Sequence, residues 1–311
     1  MITLSKIREL DLAEPTATGR PRHLSAASGL VCVKSFQYVV ADDELHLGVF
    51  RAGDNTPGHL LRLFDGTLPD RNPERKKQKP DFETLTVLPP FEDYAQGALL
   101  AVGSGSKRNR RNAALLRLDP QGAIEGAPVI LDLAPLFAPL DDLMRGLNIE
   151  GAVVRGDELA LFQRGNRKNT GNAVIRMALP HFIDALKNGR DVALPPFTVG
   201  FFDLGTIDGV SLSFTDATGL PNGDTVFTAI AEDSDNAYDD GPCIGAAIGI
   251  LGCDGALRVV HHLAHPYKIE GVAARVEGDS LHLLLVTDAD DANIPATLYS
   301  AIMEGWRNSS P

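Results

Sequence analysis

Acidic residues recur at the start of similar apolar phrases: Glu83-Thr84-Leu85, Glu150-Gly151-Ala152-Val153, Asp208-Gly209-Val210 and Glu270-Gly271-Val272. Ser28-Gly29-Leu30-Val31 takes the same place earlier in the chain. Carboxylates that converge on one point repel one another unless they are protonated or bridged by a cation. Hard oxygen ligands favour calcium among the divalent ions. Glu83, Glu150, Asp208 and Glu270 are therefore expected to form a metal neighbourhood with calcium as its ion. A plainer reading gives the same pairs a structural duty, with glycine permitting close packing and the carboxylate capping backbone amides.

The polar bursts that follow each phrase are sorted by charge. Asp42, Asp43 and Glu44, then Glu232, Asp233, Asp235, Asp239 and Asp240, then Asp288, Asp290 and Asp291 are acidic. Lys107, Arg108, Arg110 and Arg111, then Arg164, Arg167 and Lys168 are basic, and Arg71, Arg75, Lys76, Lys77 and Lys79 add further positive charge. Guanidinium groups grip phosphate and carboxylate in bidentate fashion, so Arg108, Arg164 and Lys168 are expected to hold a small anionic molecule. A carboxylate outside the metal set, Asp233 or Asp288, is expected to act as general base. The reaction expected of this set is metal-assisted hydrolysis of a phosphorylated or otherwise anionic substrate, in a calcium-dependent phosphoesterase-like or lactonase-like enzyme. The alternative is a non-catalytic module whose polarised face binds an anionic ligand or protein segment.

The elements that must position these groups are strands. The five phrases begin at residues 28, 83, 150, 208 and 270 of 311, intervals of 55, 67, 58 and 62. Each opens a succession of short β-branched and aliphatic runs divided by Gly, Asp, Asn and Pro, the pattern of an all-β chain with internal repeats. The expected fold is a five-bladed β-propeller forming a single domain over 1–311, with blades near 28–70, 81–135, 148–205, 206–262 and 268–305. The last unit runs out of chain after three strands, and residues 1–12 have no blade of their own, so they are expected to close it. Two β-sandwiches would need a linker and a composition shift near the middle, and neither is visible. In an antiparallel blade the start of the innermost strand and the loop between the second and third strands share one end, so all the residues named above meet on a single face. Two helices are expected as surface insertions, over Leu131–Arg145 and Pro180–Gly189.

Composition excludes other classes. With 29 Lys+Arg against 41 Asp+Glu the net charge is -12, which opposes non-specific binding to nucleic acid. No segment approaches the roughly 18 apolar residues that span a bilayer, so no membrane partner and a cytoplasmic location are expected. Cys32, Cys243 and Cys253 show no Cys-x-x-Cys spacing and read as reduced thiols in a strand-rich interior. His261, His262 and His265 fall on an outer strand, where positions four apart lie roughly 13 Å from each other and share no ion. Gly103-Ser104-Gly105-Ser106-Lys107 lacks the spacing of a phosphate-binding loop, Asp233-Ser234-Asp235 lacks the Gly and Glu of a calcium loop, and no Gly-x-Ser-x-Gly elbow is present.

Leu147-Asn148-Ile149-Glu150-Gly151, Lys268-Ile269-Glu270-Gly271-Val272 and Lys79-Pro80-Asp81-Phe82-Glu83 resemble phrases of bacterial phytase-like or esterase-like propeller proteins, a group of largely uncharacterised function. More distantly, Ser28-Gly29-Leu30 leading to Ala41-Asp42-Asp43 is similar to the calcium-activated nucleotidases. Those are five-bladed, with calcium in the central channel; where they carry Asp-Asp-Arg-Thr-Gly, this chain has Asp42-Asp43-Glu44-Leu45. The resemblance implies calcium near Glu83, Glu150, Asp208 and Glu270 and an anion near Arg108, Arg164 and Lys168.

Overall fold

A computed structural model describes residues 1–144, 146–165, 171–188, 196–233 and 241–306. These residues form five antiparallel sheets arranged as the blades of a propeller. Strand β1 (Ser5–Glu9) precedes the first blade, which comprises β2 (Ala27–Val33), β3 (Phe36–Ala41), β4 (His46–Arg51) and β5 (His59–Arg62). Helix α1 (Asn72–Gln78) leads to the second blade: β6 (Phe82–Leu88), β7 (Ala98–Gly103), β8 (Asn112–Leu118) and β9 (Ile124–Asp132). After helix α2 (Ala134–Asp141), the third blade has β10 (Ile149–Arg155), β11 (Glu158–Gln163) and β12 (Asn172–Ala178). Helix α3 (Leu179–Asn188) separates these from its outer strand β13 (Phe197–Phe202). The fourth blade adds a short strand β14 (Thr206–Ile207) to β15 (Val210–Gly219), β16 (Thr225–Glu232), β17 (Cys243–Leu251) and β18 (Leu257–His262). The fifth contains β19 (Ile269–Glu277), β20 (Ser280–Thr287) and β21 (Thr297–Glu304).

The ring closes through the amino-terminal segment. Strand β1 runs antiparallel to β21, with Ser5 opposite Ser300 and Glu9 opposite Thr297, and supplies the fourth strand of the last blade. Pairing the two ends of the chain in one sheet covers the edge that β21 would otherwise leave open.

Apolar layers between neighbouring blades hold the ring together. Leu100, Val102 and Leu115 of the second blade meet Ala152, Leu161 and Ile175 of the third, while Phe162, Phe214 and Phe227 stack edge to face between the third and fourth. The two helices do more than decorate the surface. Leu136, Phe137 and Leu140 of α2 and Phe182, Ile183 and Leu186 of α3 are buried in the layer between the second and third blades. Pro at the first turn suits both helices, since the amide it lacks has no partner there. The three cysteines are free, but Cys32 and Cys253 are exposed rather than interior. Among the described residues no helix is long and apolar enough to cross a membrane.

Each innermost strand carries one β-bulge close to the top face. The extra residue is Ser28 in β2, Glu83 in β6, Glu150 in β10, Thr215 in β15 and Glu270 in β19. A bulge turns one side chain out of the ladder and re-aims it. The residue that follows faces the adjoining blade at very short range. A Cβ on Gly151 would lie 2.9 Å from the Ala217 amide, and one on Gly271 would lie 3.0 Å from the Leu30 amide. At Gly151 the approach is backbone against backbone, and at Gly271 Val286 Cγ2, at 2.6 Å, crowds the same space.

Candidate functional site

Three of the four expected acids, Glu83, Glu150 and Glu270, occupy the bulges and so converge on the axis at the top face. Asp208 does not join them. It sits exposed in the turn between β14 and β15, at φ 49°, followed by Gly209 at φ 81°. The Asp-Gly pair marks a tight hairpin, because β15 is longer than the other inner strands and its bulge comes later, at Thr215. The fourth-blade axial residues are therefore Thr215 and Asp216. Thr215 Oγ1 lies 3.0 Å from Thr228 Oγ1 and donates to the Ile269 carbonyl at 2.7 Å. Asp216, fully buried, accepts from the amides of Ala217 and Val272, both at 2.7 Å, and also from Leu30.

The bridging cation between the glutamates is a side chain. Arg164, one residue past β11, lies 2.8 Å from Glu232, 3.5 Å from Glu150 and 3.7 Å from Glu270. Burial works against its charge, yet these carboxylates and Glu83 raise its pKa well above the ordinary arginine value. Lys268 repeats the arrangement one blade on, 2.6 Å from Asp290, 3.3 Å from Asp288 and Glu232 and 3.9 Å from Glu270. Sequence reasoning assigned Arg164 to a ligand and overlooked Lys268, although Lys268 stands in the same phrase as Glu270. Asn148 Nδ2 donates to Glu150, and Gln163 Oε1 accepts from the Asn148 amide at 2.8 Å.

The second and first blades hold a further knot. Asp81 receives Arg110 Nη1 at 2.6 Å and Lys79 Nζ at 2.8 Å, and Lys79 also pairs with Asp42. Asp43 and Glu44 are tied to Arg20 and to Arg75 of α1, with Arg75 Nη2 2.8 Å from Glu44. Arg108 is exposed in a single 3-10 turn (Arg108–Arg110), and Arg110 is the residue of that turn that reaches inward. Asp233 is exposed and Asp288 half-buried against Lys268. Lys168 lies outside the described residues, as do Arg167, Asp235, Asp239 and Asp240.

Burial dominates the electrostatics of the three ring glutamates. It pushes Glu83 up to about 7, helped by Asp81 and opposed by Lys79, Arg164 and Arg110. It pushes Glu270 up to about 8 against Arg164 and Lys268, and Glu150 well above the carboxylate range against Arg164. A carboxyl that holds its proton near neutrality is what acid catalysis at neutral pH requires. Glu83 stands apart within the ring: half-buried, it makes no hydrogen bond or ion pair to any described residue. Among the described residues, Asp42, Asp81 and Glu83 form the set whose carboxylate oxygens lie within 4.8 Å of one another, the separation suited to a metal ion. Lys79 already bonds two of the three, so its ammonium supplies there the positive charge that an ion would bring.

The profile of a family described as "Family of unknown function (DUF6929)" matches residues 23–303. No curated protein matches the chain. Among solved structures, the chain is similar to the catalytic domain of a GH62 alpha-L-arabinofuranosidase from Coprinopsis cinerea, at 9% identity and a TM-score of 0.50, over 97% of this chain and 96% of that one. It is also similar to an alpha-L-arabinanase from Penicillium chrysogenum complexed with arabinobiose, at 9% identity and a TM-score of 0.44, over 96% and 98%. A candidate gluconolactonase aligns at 13% identity and a TM-score of 0.39, over 97% of each chain. At such identities the likeness is one of fold.

Proposed function

This chain belongs to DUF6929, and we propose that it is a hydrolase of a small anionic molecule, working at the axial end of the top face with Glu83 as its acid–base group. The observation that carries the reading is Glu83 itself: a carboxyl near pKa 7, open to solvent on one side and without a hydrogen bond or ion pair to a described residue. Structural carboxylates are normally saturated by donors, as Asp216 is. A half-titrated and unsaturated one is placed to give a proton to a leaving group and to take one from water.

Positive charge for the anionic part of the substrate lies beside it. Asn109 Nδ2 donates to the Lys77 and Lys79 carbonyls and Arg110 Nη2 to the Lys76 carbonyl, which joins the loop after β7 to α1. The exposed Lys77 and Arg108 and the half-buried Lys76 and Lys107 thus form one basic arc on the second blade. Burial and the neighbouring Arg110 and Lys76 lower the pKa of Lys107, a sign of a concentrated positive field.

A panel of carboxylic esters, lactones and phosphoesters tests the reading. Turnover is expected for at least one class, rising as pH falls toward 7, with kcat/KM reduced about a hundredfold or more in Glu83→Gln. Salt-sensitive ligand binding without turnover of any class would favour the binding module instead.

A further inference from the structure

The loop after β7, Ser104-Gly105-Ser106-Lys107, joins Asp81 in a chain of three oxygens that ends at the half-buried Ser106. Ser106 Oγ lies 2.8 Å from Ser104 Oγ, and Ser104 Oγ lies 2.5 Å from Asp81 Oδ2. Asp81 has one oxygen 2.8 Å from the Lys79 ammonium and the other 2.6 Å from the Arg110 guanidinium, so as a carboxylate held between two cations it accepts. The single hydroxyl proton of Ser104 is therefore committed to Asp81. Ser104 Oγ in turn accepts from the Ser106 hydroxyl and from the Ser106 amide at 3.3 Å. Ser106's proton consequently points inward along the chain, on a residue that is half-buried. Arg110 Nη1 touches both ends, 3.0 Å from Ser106 Oγ and 2.6 Å from Asp81. Gly105, at φ 77°, makes the sharp return that lets two serines one residue apart meet.

We infer that Ser106 is a nucleophile of the top-face site that accepts the acyl group of a carboxylic ester or lactone, with Ser104 and Asp81 receiving its proton. The inference rests on the hydrolase reading and names its substrate class. As Ser106 Oγ bonds to the carbonyl carbon, its proton passes to Ser104 and the Ser104 proton to Asp81, while the electron pair of the carbonyl moves onto oxygen beside the Arg110 guanidinium. Collapse of that intermediate breaks the bond to the leaving oxygen, which departs with its electron pair and takes up the proton of Glu83. Water then gives a proton to Glu83 as its oxygen bonds to the acyl carbon, and the Ser106 oxygen leaves with the proton that Asp81 returns through Ser104. An acidic aspartate can serve as the acceptor because the transfer is completed only as the oxygen–carbon bond forms, as with the aspartate that accepts a hydroxyl proton in protein kinases. No nucleophile elbow is required, since the proton path is built from side chains of the loop after β7 and of the connection into β6.

Treating the full chain with a fluorophosphonate probe tests this directly. The serine oxygen forms a bond to phosphorus, fluoride leaves with its electron pair, and one covalent adduct results. Peptide mapping is expected to place it on Ser106, with no adduct in Ser106→Ala or in heat-unfolded chain, and labelling at least fivefold slower in Ser104→Ala whose melting temperature is unchanged. No adduct, an adduct elsewhere, or a Ser104→Ala rate less than fivefold slower would overturn the relay. If Ser104→Ala fails to fold, mapping of the native adduct decides alone. Labelling is scored whether or not any substrate in the panel turns over, so its failure and that of the hydrolase reading are separate results.

Discussion

Asp216 and Glu83 are both acids on innermost strands beside the axis, one in the fourth blade and one in the second, and they serve opposite ends. Asp216 takes amides from its own strand, from Val272 in the fifth blade and from Leu30 in the first. It bolts three blades together with hydrogen bonds that no backbone ladder could make, because the innermost strands of adjacent blades are not paired with one another. Burial pushes its pKa well up, and the amides work against that rise. Glu83 is raised as well, by burial and by Asp81, but no donor saturates it. A buried acid is thus not chemical by virtue of its place or its pKa. The number of donors it already satisfies separates the bolt from the reagent.

The largest effect is expected at Arg164, the cation that faces two of the ring glutamates and Glu232 together. Arg164→Met removes the charge facing Glu150, Glu232 and Glu270, leaving like charges buried together, and is expected to cost about 3–5 kcal/mol in urea unfolding. A loss below about 1 kcal/mol would mean that protonation of the glutamates, rather than Arg164, holds the ring. Asp216→Ala comes next. Three buried amides lose their acceptor, and about 3 kcal/mol is expected, since each orphaned amide costs about 1–3 kcal/mol and relief of a desolvated carboxyl offsets part of the sum. The same variant should leave any ester or phosphoester turnover at 25 °C within about threefold of the native value, which Glu83→Gln should not.

The fold was legible because blade starts recur at near-constant intervals and because an unpaired segment precedes a unit short of one strand. Glu83, Glu150 and Glu270 could be placed at the axis because each stands at the start of the first strand of its unit, the innermost strand of a blade. Thr215-Asp216 hid inside the unbroken pattern of Val210–Gly219, whereas Asp208-Gly209 imitated a blade start with what is physically a turn signal. Charge sorting of the loops predicted a divided rim, but the sign of a loop does not reveal which side chains turn inward. Arg110 does so and Arg108 does not, because Asp81 and the Lys76 carbonyl fix Arg110 from below. Lys268 escaped notice because it lies outside the loops that were sorted, on the short connection into the inner strand, and Lys79, on the matching connection, was counted only as further positive charge beside them.

The pH dependence of stability separates the two kinds of acid in another way. Glu83 and Glu270 bind their protons more tightly folded than unfolded, with folded values of about 7 and about 8 against an ordinary 4.5. Between these limits the folded state carries the extra proton, so stability is greatest near pH 5 and falls as pH rises toward 8. Asp81 and Glu44 are lowered, so their contribution is present above their ordinary values and is lost as pH falls below about 4. Urea unfolding from pH 4 to 9 should show a maximum near pH 5 and a decline of about 2 kcal/mol by pH 8, allowing for the coupling within the ring. A flat profile between pH 5 and 8 would mean that Glu83 and Glu270 are ionised throughout.

Calcium provides the finest test. An ion entering between Asp42, Asp81 and Glu83 must displace the Lys79 ammonium from Asp42 and Asp81. In the native chain that exchange trades one charge-assisted contact for another, and millimolar calcium is expected to shift the melting temperature by less than about 1 °C, the size of an effect below about 0.7 kcal/mol. Lys79→Ala removes the competitor and leaves three carboxylate oxygens within 4.8 Å, so the same calcium concentration should now raise the melting temperature by several degrees, reversed by a chelator. Equal shifts in the two proteins would show that calcium binds elsewhere. A large shift in the native chain alone would make Lys79 a partner of the metal site rather than its substitute, and would return the acids of the second blade to the role that their spacing first suggested.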